Sequence, residues 1–302
     1  MAKITVAVGI PALNEEANIA HLLKRLLQQK SPDLELKKII VVSDASTDKT
    51  IEVAKSVSDN RIKVLSNSKR LGQNGSQNRI LEKCSEDVVV LLNADVLPRT
   101  NDFLWHIVRP TISNPKVGLV GAETIPVEPQ TTIEKILFAS HMWKNEISKL
   151  WNRGDNVLSC RGAARAFRKE FYQQLRWPQD VPEDAYSYFF CQKQGYSFVF
   201  NPKAQVFFRL PQNLRDHIKQ SHRYYLGQKR LADHFGKTFM NGSYDVPLPI
   251  FVSTFISTFF VYHLYLIGYV FVMMYISNFV PQQVSDASAF DMAASSKKLM
   301  NE

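Results

Sequence analysis

The sequence predicts an α/β fold: a mostly parallel, Rossmann-like sheet with helices on both faces, then a basic amphipathic helix and a long apolar segment. Three observations predict it. Four short apolar, β-branched runs fall in the first third of the 302-residue chain. Helical apolar stripes lie between them. The links are short, and right-handed crossovers then place helices on both faces of the sheet.

Residues 3–10 (KITVAVGI) read as a strand buried on both faces, and Pro11 ends the run. Asn14 is placed to cap a helix, with Glu15 and Glu16 in its first turn. Ile19, Leu22, Leu23, Leu26 and Leu27 make that helix's apolar stripe. Residues 37–43 form the second strand, which ends in Asp44. Ser46 or Thr47 is placed to cap the next helix, with Ile51, Ala54 and Val57 facing inward. Residues 61–65 are a third strand. The loop from Arg70 to Gly75 leads into a short helix, and residues 87–92 are a fourth strand. Beyond residue 125 the pattern loosens. It predicts a helix over 131–151, a short strand within 160–168, a helix over 183–194 ending at Gly195, and two short strands around Asn201-Pro202.

Lys and Arg number 37 against 28 Asp and Glu, a net charge of +9. The basic residues thicken between Arg209 and Lys237, where Arg215, Lys219, Arg223, Lys229 and Arg230 interleave with Leu214, Ile218, Tyr225 and Leu231. A basic amphipathic helix of this kind suits a membrane interface. Next comes a charge-free run from Leu248 to Val280, longer than the ~20 residues a spanning helix needs. The expected organisation is a catalytic domain over 1–210, an interface helix over 211–245, a transmembrane segment over 246–281 and a flexible tail over 282–302. Basic flanks place the catalytic domain on the cytoplasmic side of a single-pass anchor. Cys84, Cys160 and Cys191 are odd in number and widely spaced, as in reduced, buried thiols. The chain opens directly on a strand, with no room before it for a signal peptide. No metal-finger spacing or RNA-binding aromatic signature is present, and no nucleic-acid partner is expected.

Ligands of open α/β sheets bind beyond the carboxyl ends of the strands. Those ends carry Glu15 after the first strand, Asp44 after the second and Asp95 after the fourth. The dinucleotide glycine fingerprint and the Gly-Lys-Ser/Thr phosphate loop are both missing. An acidic edge repels phosphate unless a divalent metal intervenes, and carboxylates suit Mg2+ or Mn2+. Carboxylates also accept hydrogen bonds from ribose or a base. Taken singly, Asp44 and Asp48 could merely cap a helix, and Asp95 could merely close a turn.

The segments IPALNEE (10–16), VVSDASTD (41–48), LLNADVLP (91–98), PED (182–184) and QSHRYY (220–225), in that order, extend this pattern. Over about residues 3–225 the chain resembles the GT-A fold glycosyltransferases of the large inverting family that includes cellulose, chitin and hyaluronan synthases and polyprenyl-phosphate sugar transferases. The resemblance implies that Pro11, Glu15, Asp44, Arg70, Gly72, Asn93 and Ala94 line the donor nucleotide, expected to be a uridine diphosphate sugar. It implies that Asp95 binds the metal bridging the diphosphate and that Asp184 is the general base. Gln220, Arg223 and Tyr224 match a Gln-x-x-Arg-Trp motif near the diphosphate and acceptor, and Arg161 and Gly162 match an acceptor-side segment. Glu183 is expected to favour the helix N-terminus, pointing away from Asp184 because adjacent helical residues diverge.

The departures are specific. Asn93 stands for the first acid of Asp-x-Asp, and Tyr224 for the motif's Trp. One apolar segment cannot enclose a polymer unless the chain oligomerises or recruits a membrane partner. The expected reaction is therefore transfer of one sugar to a lipid-linked or saccharide acceptor near the membrane. A processive polysaccharide synthase-like subunit and a catalytically silent nucleotide-binding relative are the alternatives. A nucleotidyltransferase would carry a glycine-rich loop where this chain has Pro11-Ala12-Leu13.

Overall fold

The structure, a computed structural model, describes residues 3–279 and Leu299, without the side chains of Tyr225 and Phe279. The expected tail, Leu299 excepted, lies outside the described residues. In chain order the first elements are β1 (Ile4–Ala12), α1 (Ile19–Leu27), β2 (Leu34–Ser43), α2 (Thr50–Ser56), β3 (Ile62–Ser66) and α3 (Gly72–Leu81). There follow β4 (Val88–Leu92), β5 (Val96–Pro98), α4 (Phe103–Ser113), β6 (Val117–Pro126), α5 (Thr132–Leu150), β7 (Ala164–Arg168) and α6 (Lys169–Tyr172). The last are α7 (Glu183–Lys193), β8 (Ser197–Phe208), α8 (Leu214–Phe235), α9 (Lys237–Met240) and α10 (Leu248–Phe279). Two compact units result. Among the described residues, one holds 3–125, 160–208 and Leu299; the other holds 126–159 and 209–279. Thus α5, expected within the catalytic domain, groups with the C-terminal helices.

The first unit is built on an eight-stranded sheet in the order β3-β2-β1-β4-β7-β6-β8-β5. β3, β2, β1 and β4 are parallel. β7 runs antiparallel to both β4 and β6, and β5 runs antiparallel to β8. The parallel half follows from apolar strands flanked by helices on both sides. On one face Val6, Val8, Ile10, Val88 and Val90 share a core with Ile19, Leu22 and Leu26 of α1 and Phe103, Ile107 and Val108 of α4. On the other, α3 comes so close that a methyl group on Gly9 would collide with Ile80 and lie 2.7 Å from Leu91 Cδ2.

Several expectations change in detail. α1 begins at Ile19, not beside Asn14. Asn14 is left-handed (φ 54°), and its Oδ1 accepts from the Thr47 amide at 2.8 Å, tying the β1 loop to the β2 loop. Asp48, rather than Ser46 or Thr47, serves the start of α2, its Oδ1 accepting from the Thr50 amide at 3.0 Å. Asn201-Pro202 lies inside one long strand, β8, where the exposed Pro202 interrupts no element. β5, α4 and β6 had no counterpart in the sequence reading.

In the second unit α5 opens with a capping box. The Glu134 amide donates to Thr131 Oγ1 at 3.1 Å, and the Thr131 amide donates to Glu134 Oε2 at 2.9 Å. Glu134 also pairs with Arg209 at 3.2 Å, and both side chains are almost fully buried. α8 is capped by Asn213 Oδ1, which accepts from the Asp216 amide at 2.9 Å. α10 is long and apolar enough to cross a membrane, and only 17% of its most apolar window is buried.

Two stability outcomes follow. Gly9→Ala overpacks the α3 contact and is expected to cost about 1–3 kcal/mol in chemical unfolding, with the fold retained by circular dichroism. Glu134→Gln leaves the Arg209 guanidinium buried without its countercharge and is expected to cost roughly 3–5 kcal/mol. Replacing both partners, as Glu134→Gln with Arg209→Met, should recover most of that loss in the same assay.

Candidate active site

The edge of the sheet beyond the ends of β1, β2 and β4 carries the predicted residues. Asp44 follows β2 and is buried. Its Oδ1 accepts from Asn67 Nδ2 at 2.8 Å and from the Leu71 amide at 2.7 Å, and its Oδ2 accepts from the Gly72 amide at 2.9 Å. One carboxylate therefore shapes the whole 67–72 loop. Gly72 sits at φ 74°, a left-handed conformation suited to glycine, and Arg70 is exposed on the same loop. Glu15 is also buried. Its amide is held 2.7 Å from Thr50 Oγ1, and its Oε2 accepts from Asn18 Nδ2 at 2.9 Å. Asn18 Oδ1 in turn accepts from the Leu299 amide at 3.1 Å. Pro11 lies buried in β1 next to Val42 of β2.

The Asn93-Ala94-Asp95 turn joins β4 to β5. Ala94 is buried, whereas Asn93 and Asp95 are half-buried. Asn93 Oδ1 accepts from Gln73 Nε2 at 2.8 Å, which links the turn to α3 behind the Asp44 loop. The Asn93 amide donates to the Ala163 carbonyl at 3.0 Å, which links it to the segment before β7.

That segment carries Arg161 and Gly162. Arg161 Nη1 donates to Thr124 Oγ1 at 2.5 Å. Burial lowers the Arg161 pKa to about 10, against the opposing pull of the Glu123 carboxylate, so the group stays cationic at neutral pH. Gly162 faces the start of α7. A methyl group there would lie 2.5 Å from Glu183 Oε1 and 3.7 Å from Asp184 Oδ2. Glu183 and Asp184 thus present oxygens to the same spot, contrary to the expected divergence. Both sit in the first helical turn, where no earlier turn crowds their side chains.

Arg165 fixes that turn. Its side chain is fully buried in β7. Nη1 donates to the Glu183 carbonyl at 2.9 Å and to Ser187 Oγ at 3.0 Å, while Nη2 stands 3.7 Å from Glu183 Oε1. The guanidinium lies over the rings of Phe167 and Trp177, and Trp177 Nε1 donates to the same Glu183 carbonyl at 2.9 Å. Asp184 Oδ1 accepts from the Ala185 amide at 2.7 Å, and its other oxygen faces the Gly162 side.

Gln220, Arg223 and Tyr224 belong to α8 in the second unit. Spaced i, i+3 and i+4, they share one face of that helix. Gln220 is exposed, Arg223 is half-buried, and Tyr224 is 50% exposed with its ring edge-on to Tyr244 at 6.3 Å. Asn67, Gln73 and Arg165 were not singled out in the sequence. For Arg165 a signal existed: a cation inside an apolar strand must find buried partners.

Among the described residues no three His, Cys, Asp or Glu side chains gather into a metal-binding group. Mg2+ and Mn2+ are often held by one or two carboxylates, with substrate phosphates and waters completing the shell. Half-buried Asp95 fits that mode as a single anionic ligand. Asn93 adds no second charge, and its side-chain oxygen already accepts from Gln73.

The fold has solved counterparts. A mannosyltransferase from Pyrobaculum calidifontis, PcManGT, superposes with a TM-score of 0.61 at 20% identity over 96% of this chain and 78% of its own. Glucosyl-3-phosphoglycerate synthase from Mycobacterium tuberculosis gives 0.56 at 18% identity, over 77% of this chain and 79% of its own. TarS from S. aureus gives 0.52 at 17% identity, over 79% and 71%. Comparison with curated proteins gave no match. The family model described as glycosyl transferase family 2 matches residues 7–176, more than half of the 302 residues, and the expectation drawn from the motifs is met. An acidic strand-end edge, a fold shared with sugar-transferring enzymes and this family match lead to one conclusion: the chain belongs to glycosyl transferase family 2 and is a glycosyltransferase.

Proposed function

We propose that the enzyme transfers a sugar from a nucleoside diphosphate sugar, UDP-linked by preference, to a membrane-near hydroxyl acceptor with inversion at the anomeric carbon. One observation carries the reading. Residues 161–163 join the Asn93–Asp95 turn, through the Ala163 carbonyl, to the carboxylates of Glu183 and Asp184, through Gly162. A donor diphosphate at the turn and an acceptor hydroxyl at Asp184 would then meet over Gly162. The neighbours support the donor class: they were captured with GDP-Man and Mn2+, with UDP, Mn2+ and phosphoglyceric acid, or with UDP.

The roles divide by chemistry. Pro11, Glu15, Asp44 and Ala94 bound the nucleoside pocket, and Arg70 and Gly72 close over it on the loop that Asp44 organises. Asn93 offers its side-chain NH2 to the ribose. Asp95 would hold the divalent metal, which when bound neutralises charge on the diphosphate oxygens. Asp184 accepts the acceptor hydroxyl proton as the new carbon–oxygen bond forms. The bond from the anomeric carbon to the diphosphate breaks in the same displacement, and the electron pair leaves on the nucleoside diphosphate. Arg161, Gln220, Arg223 and Tyr224 are assigned to the diphosphate and acceptor, with Glu183 beside the base. The apolar α10 and the basic α8 support a membrane-bound enzyme whose catalytic domain faces the cytoplasm.

The lone metal carboxylate favours one rival, a nucleotide-binding relative without turnover. Release of nucleoside diphosphate from a panel of nucleotide-sugars with Mn2+ decides between them. Turnover in wild type that falls about 10²–10⁴-fold in Asp184→Asn, with donor binding unchanged by calorimetry, is the expected result. Full turnover in Asp184→Asn would remove it as base, and binding without turnover in wild type would favour the rival. Asp95→Ala is expected to raise the Mn2+ concentration needed for half-maximal donor binding at least tenfold. An unchanged Mn2+ dependence would detach the metal from Asp95.

A further inference from the structure

We propose that α10 enters the membrane as a hairpin of two short arms, with both ends on the same side, rather than crossing once. This rests on the membrane reading above. α10 is not one helix in its geometry, because at His263 the backbone turns to φ 30° and ψ −106°, far from helical values. The arm from Leu248 to Tyr262 is about 22 Å long and the arm from Leu264 to Phe279 about 24 Å. Each is shorter than the roughly 30 Å hydrocarbon core of a bilayer.

Both arms lie against α5. From the first arm, Thr254 Oγ1 accepts from Trp143 Nε1 at 3.1 Å, and the Trp143 ring meets Phe251 and Phe255 at 4.9 and 5.2 Å. Tyr262 meets Phe138 at 5.9 Å. From the second arm, a methyl group on Gly268 would lie 3.2 Å from Ile136 Cδ1, and Lys144 Nζ stands 4.8 Å from the Tyr269 ring. A straight helix would separate Thr254 from Gly268 by about 21 Å, whereas Trp143 and Ile136 are only about 10 Å apart along α5. Continued straight, α10 would extend about 48 Å against about 28 Å for α5. The break instead returns the second arm to α5.

The outer faces of the arms identify their partner. No charged side chain occurs from Leu248 to Phe279. Phe260, Val261, Leu264 and Phe271 are 65–78% exposed, an apolar surface on both sides of the break. Arg215, Lys219, Lys229 and Arg230 on α8 supply the cations that anionic lipid headgroups attract. A break inside hydrocarbon would leave backbone groups unsatisfied. Tyr262, His263 and Tyr265 bring polar groups to that stretch.

Side-specific labelling tests the topology. Ser243→Cys and Ser285→Cys, each in full-length protein carrying Cys84→Ser, are exposed to a membrane-impermeant maleimide in sealed vesicles of known orientation. Both are expected to label from the same side, with at least tenfold less labelling from the other, in protein that resists alkaline carbonate extraction. Labelling from opposite sides in extraction-resistant protein overturns the hairpin and leaves the membrane reading intact. Release by carbonate overturns both. His263→Gly, which accepts a positive φ, is expected to keep the same-side pattern, and a switch to opposite sides in that variant counts against the break as the cause.

Discussion

The reversal of strand direction between β4 and β7 is the constraint on which the site depends. A wholly parallel sheet would bring only strand carboxyl ends to the ligand edge. Because β7 runs the other way, with Leu92 beside Ala164, its amino end arrives there instead. Residues 161–163 are thereby delivered beside the Asn93–Asp95 turn, and the first turn of α7 packs upon them. Segments far apart in the chain are joined through residues 161–163 because one strand is inverted.

Around that reversal, polar groups act more by shaping backbone than by reaching into space. Asp44 gathers three donors from one loop. Asn14 staples two strand ends, and Gln73 holds Asn93. Buried carboxylates and amides are stable only when so satisfied. Such bonds hold the loops from within the protein, and loops held in this way lower the ordering cost of binding.

What the sequence revealed tracks how local each cause is. β1, β2 and β4 were legible as apolar, β-branched runs, and α5 as a long polar-apolar stretch. The positions of Glu15, Asp44 and Asp95 beyond strand ends were legible from the strand pattern, and that of Asp184 in a helix from the 183–194 stretch. β6 was hidden by its glycines: Gly118 exists to admit Tyr196, a contact from a distant segment. α4 was hidden by Pro110, which nonetheless sits within the helix. The hydrogen bonds of Asp44 to residues 67–72, and of Arg165 to the start of α7, are long-range pairings that no periodicity encodes.

Arg165 also changes where constraint on this enzyme should be sought. A guanidinium sealed in β7, shared among a backbone carbonyl, a serine and two aromatic rings, has no substitute of equal shape and charge. Replacement at this position, which faces no solvent, is therefore expected to disturb both the first turn of α7 and the Gln77 side chain of α3.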